Sequence, residues 1–226
     1  MTFPGIRAWQ MMMATLCCAG WTVAMAGGVA LDTRNVPALH GDAKAGAGAA
    51  VTCVACHGAK GISPIPTFPH LAGQRAEYLY WKLVQFQREA RTDSPMSTLA
   101  ATLTEPVMRD LAAYFSALPP KSPLASADAT DPGGTLYNDG DPARGVPPCQ
   151  GCHGTAGSGH PLSEQAPRYR MFPVLQGQHA AYIAQRLEQF QSGKRRYTSS
   201  ENIMAGVVHG LTAEDMRNLA AWLEGR

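Results

Sequence analysis

Residues 53–58 read Cys-Val-Ala-Cys-His-Gly, and residues 149–154 read Cys-Gln-Gly-Cys-His-Gly. A chain carrying one such block twice must build the same local turn twice, so whatever encloses the first block should enclose the second. The flanking sequence agrees. FPHLAGQRAEYLYWKLVQFQ at 68–87 is answered by FPVLQGQHAAYIAQRLEQFQ at 172–191. MSTLAATLTEPVMRDLAAYF at 96–115 is answered by MAGVVHGLTAEDMRNLAAWL at 204–223. The offset between copies is 96 at the Cys blocks, 104 at the Phe-Pro segments and 108 at the Met segments. Copy two therefore carries insertions of 8 and 4 residues, in SGHPLSEQAPRYR and KRRYTSSE. Both stretches are polar and turn-rich, where extra length is well tolerated. A repeat of roughly 100 residues is a duplicated domain and not a solenoid. The joint, ALPPKSPLASADATDPGG, has the composition of a linker. The predicted units are 27–121 and 122–226.

Residues 1–26 read as an export signal. Arg7 is the sole charge before Asp32, and the apolar run AWQMMMATLCCAGWTVAMA ends in Ala24-Met25-Ala26, an A-x-A-like cleavage site. The run is also long enough to remain as a membrane anchor. Cleavage implies a periplasmic protein with no stable membrane insertion. Cys17 and Cys18 follow Leu16 and Cys17, not the small residue of a lipid-attachment site, so no lipid anchor is expected. The remaining four of the six cysteines all lie in the two blocks, which leaves none for a structural disulfide. The formal net charge of +2 is too mild to suggest a nucleic-acid partner.

Three helices are predicted per copy, and no stretch alternates as a strand, so the fold class is all-α. The first helix leads into the Cys block. The second presents Leu79, Leu83 and Phe86, matched by Ile183, Leu187 and Phe190. The third presents Met108, Leu111, Ala112 and Phe115, matched by Met216, Leu219, Ala220 and Leu223, a single apolar face. Thr104 and Thr212 are expected N-caps, the latter in a capping box with Asp215. Units this small, with such sparse apolar faces, commonly need a staple or a bulky cofactor.

Cys-x-x-Cys-His is the attachment signature of c-type haem. Two thiols on one face of a helical turn can add to the two vinyl groups of one porphyrin. The adjacent imidazole then faces the iron. Cys53, Cys56 and His57 would hold one haem, and Cys149, Cys152 and His153 a second. A zinc ribbon would place its Cys pairs about 15–20 residues apart, and a thioredoxin-like pair would sit near a βαβ unit. Neither pattern is present.

Haem iron takes Met, His, Cys or Tyr as its other axial ligand, or stays open. No histidine outside the blocks is matched in the other copy: His70 answers Val174, His179 answers Arg75, and His209 answers Ala101. These three are expected on the surface or in loops. Two methionine pairs are matched. Met108 and Met216 lie on a helix face, where Met usually fills core space. Met96 and Met204 precede the last helix, in what reads as a loop able to arch over the open haem face, and they are the preferred ligands. The other imidazole nitrogen needs an acceptor, and the carbonyls of Pro69 and Pro173 are the matched candidates, ahead of Pro66. Arg91 and Arg195 are candidates for the haem propionates or are simply solvated. Tyr78 and Tyr182 pack on haem or on helix.

Taken together, the two blocks, the FPHLAGQ and FPVLQGQ segments, Tyr78 and Tyr182, and the helices ending LAAYF and LAAWL resemble the di-haem cytochrome c4 family over nearly all of the mature chain. The resemblance implies two tandem class I cytochrome c domains related by an approximate two-fold axis. It implies His/Met ligation by His57 with Met96 and by His153 with Met204, and periplasmic electron transfer, often to a terminal oxidase. Copy two keeps the family's Gly-x-Arg before the Met as Gly193-Lys194-Arg195, whereas copy one has Glu89-Ala90-Arg91.

The expected function is a carrier of single electrons between redox protein partners: a quinol-oxidising complex, a terminal oxidase or a dehydrogenase. Two covalently bound haem c groups are its cofactors. The alternative is the electron-accepting subunit of a dehydrogenase complex, for example a flavocytochrome sulfide dehydrogenase. A di-haem peroxidase is the third reading, and the symmetric Met pair speaks against it.

Overall fold

Gly46 sets how the first helix of the N-terminal half meets the last. A Cβ there would stand 2.0 Å from the carbonyl oxygen of Asp110, so the two backbones touch only because glycine has none. Gly133 repeats the device in the C-terminal half, where a Cβ would stand 2.2 Å from the Asn218 carbonyl oxygen. Tyr114 and Trp222 flank the two contacts. Each half is built around this crossing.

The computed structural model describes Met1 and residues 31–89, 94–122 and 131–226. The expected leader with Cys17 and Cys18, Arg91, and residues 123–130 of the joint lie outside the described residues. The N-terminal half contains α1 (Ala43–Ala49), α2 (Val54–His57), α3 (Ala76–Glu89), α4 (Pro95–Ala101) and α5 (Glu105–Ala117). The C-terminal half repeats them as α6 (Pro132–Asp139), α7 (Gln150–His153), α8 (Ala180–Gln191), α9 (Ser199–Val207) and α10 (Ala213–Glu224). Among the described residues there is no strand, only two isolated bridges, Leu31 with Thr198 and Asp141 with Val146. The all-α class is borne out.

Among the described residues, five α-helices per half replace the three expected, for local reasons. The leading helix breaks before each Cys block, and the block forms a one-turn helix of its own. Gly58 (φ 78°) and Gly154 (φ 75°) end these turns in a conformation that L side chains avoid. Met96 and Met204 also lie on helices, α4 and α9, and not in loops. Pro95 stands in the first turn of α4, where its missing N–H is no loss, and the Ser94 hydroxyl accepts from Met96 N. The Thr198 hydroxyl accepts from Glu201 N to open α9. Thr212 forms the expected capping box with Asp215, while Thr104 occupies the cap position without a side-chain bond.

The duplication is also less regular than the motif offsets suggest. Gly46 lies 7 residues before Cys53, but Gly133 lies 16 before Cys149, so copy two has a third insertion, of 9 residues. It folds as a 3-10 turn, Pro142–Arg144, capped by Asp141. Arg144 pins it to the start of α10 through Asp215 at 2.5 Å.

Each half has its own core. Leu79, Tyr80, Val84, Met108, Leu111, Ala112 and Phe115 cluster in the first. Leu136, Tyr137, Ile183, Met216, Leu219 and Trp222 belong to the second. The halves are then tied together by polar contacts. Residues 31–33 leave the N-terminal half and run along residues 197–200 of the other, with Leu31 N donating to Tyr197 O and Ser199 N to Leu31 O, both at 2.9 Å. Arg75 donates to Ser163, His160 O and Phe172 O in the longer loop of copy two. That loop's Arg170 donates back to Val36 O.

Candidate cofactor cavity

The α2 and α7 turns bring each Cys pair and its histidine to one wall of a cavity of about 720 Å³ that is continuous between the halves. Well-packed helices leave few voids larger than a water molecule, so a space of this size is part of the design. Leu79, Leu83 and Phe86 line it from α3, and Ile183, Leu187 and Phe190 from α8. The apolar face predicted for the second helix is therefore chiefly cavity wall. Tyr78 and Tyr182 line it as well.

His57 and His153 are buried, 6% and 5% exposed. Each Nδ1 lies 2.9 Å from a carbonyl oxygen, that of Pro69 or Pro173. A carbonyl only accepts, so each Nδ1 carries the hydrogen and each Nε2 keeps its lone pair. Burial lowers both imidazole pKa values, which keeps the rings neutral, the form that binds a metal. Phe68 and Phe172 stand beside the two rings at centroid distances of 6.3 and 6.2 Å. Burial also raises the thiols of Cys53, Cys149 (to about 11) and Cys152.

Met96 and Met204 line the cavity. Met108 and Met216 do not; they are 3% and 2% exposed, inside the two helical cores. One further thioether that sequence reasoning passed over, Met171, also lines the cavity. It stands where copy one has Thr67, so it has no matched partner.

Charged side chains also line the cavity. Glu201, 3% exposed, receives Lys82 Nζ at 2.7 Å, Gln85 Nε2 at 2.9 Å, Arg195 Nη2 at 3.3 Å and Tyr197 N at 2.9 Å. Lys82 and Gln85 come from one half and Arg195 from the other. Arg186, the counterpart of Lys82, donates to Gln189, the counterpart of Gln85, at 2.5 Å. Lys82 and Arg186 lie over the Tyr78 and Tyr182 rings at 5.5 and 4.6 Å. Among the described residues the charged lining of the cavity is thus three cations, Lys82, Arg186 and Arg195, and one carboxylate, Glu201, which the first and last of them meet. Nε of Arg186 and of Arg195 are buried without a hydrogen-bond acceptor. Arg195 is not solvated.

The unmatched histidines lie on the surface or in loops as expected, but two of them are not exposed. His209 is exposed, but His70 is 6% exposed and packs on His179 with ring centroids 4.1 Å apart, at the contact between halves. Burial, reinforced by the charge of His179, pushes His70 down to about 4. His179 reaches Glu224 in its own half and Ser63 O in the other.

These sites can be set beside known proteins. The family model described as Cytochrome c matches residues 131–226. Cytochrome c4 of Thiocapsa roseopersicina is 37% identical over 187 residues, covering 82% of this chain and 93% of that protein. The crystal structure of reduced recombinant cytochrome c4 from Pseudomonas stutzeri superposes with a TM-score of 0.73 at 35% identity, covering 82% of this chain and 99% of that one. The chain belongs to the cytochrome c4 family. A protein named thiosulfate dehydrogenase electron acceptor, from Thiomonas intermedia, is 34% identical over 178 residues, covering 77% of this chain and 78% of that protein.

As a cytochrome c4 homologue, the chain carries covalent haem c and is an electron carrier, not an enzyme. Its residues fit that cofactor. The Cys pairs at 53/56 and 149/152 and two lone-pair imidazoles line one apolar cavity, and two acceptor-free guanidinium nitrogens suit the propionates. Redox proteins are its partners in general terms. Among the described residues no helix is long and apolar enough to cross a membrane.

Proposed function

We propose that this chain shuttles single electrons in the periplasm, delivered there by its 1–26 leader, through two haems that units 27–121 and 122–226 would each house. Cys53 and Cys56 would hold one haem, with His57 and Met96 binding its iron; Cys149 and Cys152 would hold the other, with His153 and Met204. The observation that carries this reading is the sorting of the methionines: the matched pair Met96 and Met204 lines the cavity, and the matched pair Met108 and Met216 is core. Haem iron supplies a one-electron couple, and thioether ligation favours its reduced form. The protein's work is then to seat the groups, exclude water and orient both imidazoles through the Pro69 and Pro173 carbonyls. A dehydrogenase of sulfur compounds is the favoured donor, supported by the likeness to the Thiomonas electron acceptor. A terminal oxidase is the favoured acceptor.

Carbon monoxide tests the ligand set. Reduced wild-type protein should bind it at neither iron. Met96→Ala should open one iron and Met204→Ala the other. Met108→Leu and Met216→Leu should open neither and should destabilise by under about 1.5 kcal/mol, as volume-conserving core swaps do. A wild-type iron that binds carbon monoxide would sink the carrier reading, and binding in the Leu variants would show that the ligands are the helical pair.

A further inference from the structure

Gln74 and Gln178, matched residues of the two copies, reach across the contact between halves in a reciprocal way. The Gln178 side chain accepts from His70 N at 2.9 Å and donates to His70 O at 3.0 Å. The Gln74 side chain accepts from Val174 N at 2.9 Å and donates to Val174 O at 2.9 Å. Both glutamines are buried, 7% and 6% exposed. Each therefore grips the main chain of one residue in the opposite half by both of its polar groups.

The residue gripped is the one after the proline that serves the haem-side histidine. The N–H of His70 and the C=O of Pro69 belong to a single peptide group. Its oxygen accepts from His57 Nδ1 at 2.9 Å, and its N–H donates to Gln178. The Pro173–Val174 peptide does the same between His153 and Gln74. An amide that donates through its N–H shifts charge onto its own oxygen, so bonds in such a chain strengthen one another. A stronger pull on the imidazole N–H makes that ring a more electron-donating ligand, and a metal's potential follows this outer partner.

We propose that the tuning is crossed: Gln178 of the C-terminal half is a positioning residue for His57 and the N-terminal haem, and Gln74 of the N-terminal half is one for His153 and the C-terminal haem. This rests on the proposed histidine ligation. It makes each haem's potential depend on docking of the other half.

The test uses full-length holoprotein bearing Gln178→Met or Gln74→Met, which keep the length of the side chain and remove its donor and acceptor. The readouts are the midpoint potentials of the two haems, and the ring N–H resonances of His57 and His153 by proton NMR of the reduced protein. Gln178→Met should move the His57 resonance upfield and raise the potential of the N-terminal haem. Cooperative strengthening of about 10–30% in a bond between neutral groups predicts a change of up to about twofold in that haem's reduction equilibrium. The C-terminal haem should stay put, and Gln74→Met should give the mirror result. Gln178→Glu keeps an acceptor for His70 N–H, so it should send the His57 resonance the opposite way; it also covers the case in which the Met variant fails to fold. Shifts confined to the haem of the mutated half, equal shifts at both haems, or no shift would overturn the proposal. If the His57 and His153 ring C–H resonances show the large ring-current shift of a haem ligand and the Gln variants leave potentials and N–H resonances unmoved, the crossed tuning alone is wrong; if those rings lack that shift, the fault lies in the histidine ligation.

Discussion

Replacing Glu201 by Gln removes one charge from a point where both halves invest cations. Burial alone would raise the Glu201 carboxyl, but Lys82 and Arg195 outweigh it and hold the group down at about 2, against an ordinary 4.5. At about 1.4 kcal/mol per pH unit, that difference taken alone is worth about 3 kcal/mol of stability, while burial pulls Lys82 down to about 8 from an ordinary 10.5, so burying the ammonium offsets part of that gain. Breaking a buried ion pair by deleting one partner gives an independent figure of about 3–5 kcal/mol. The sign follows from the depressed folded value. The contribution is complete above roughly pH 4.5 and is lost as pH falls through about 2, because the protonated carboxyl no longer attracts its cations. Gln at this position has nothing to titrate. The gap between wild type and Glu201→Gln should therefore be about 3 kcal/mol at pH 7 and narrow to about 1 kcal/mol at pH 3. Urea unfolding of the holoproteins at both pH values, followed by far-UV circular dichroism, measures it. Adding Lys82→Met to Glu201→Gln should recover part of the loss, since a lone buried ammonium is removed. A gap that is the same at both pH values, or below about 1 kcal/mol at pH 7, would refute the reasoning.

Two further outcomes are expected. Gly133→Val forces a Cβ to 2.2 Å from the Asn218 carbonyl oxygen, so α6 and α10 must separate at about 1–3 kcal/mol or more; urea melts monitored at each haem should show the C-terminal half weakened first, with Gly46→Val doing the reverse. A C-terminal half begun at Ser122 with its own leader should mature with one haem, yet unfold at lower urea than within the full chain. It loses Lys82 and Gln85 from Glu201, His70 from Gln178, and residues 31–33 from residues 197–200. A half that never acquires haem would show that the two units are not independent.

Much of the cavity was legible because its parts repeat. A duplicated motif marks its own functional positions: Pro69 with Pro173, and Met96 with Met204, were singled out because they recur at matched places. The structure seats both prolines against the histidines and both methionines on the cavity wall. Where copies differ, this device fails. The 9-residue insertion before Cys149 escaped notice because Gly46 and Gly133 carry no motif, and only their contact with α5 and α10 shows that they correspond. The α4 and α9 helices were missed although signals existed: Ser94-Pro95 and the Thr198-x-x-Glu201 spacing are both helix starts. Glu201 had no such signal as a buried charge, since a Glu in a polar stretch reads as solvated until Lys82 arrives from the other half.

The sequence by itself determined the local chemistry. The three-residue spacing of the cysteines, the histidine beside them and the helix periods act over a few residues, where backbone geometry alone decides what meets what. Only the tertiary structure decided what the two copies do to each other. Gln178 on His70, Lys82 on Glu201 and His179 on Ser63 join residues more than 100 positions apart. Each side chain is ordinary in composition, and no local rule picks its partner. The docking of two similar but unequal halves buries these polar groups together, and because an unsatisfied buried group is costly, it also specifies which of them must pair.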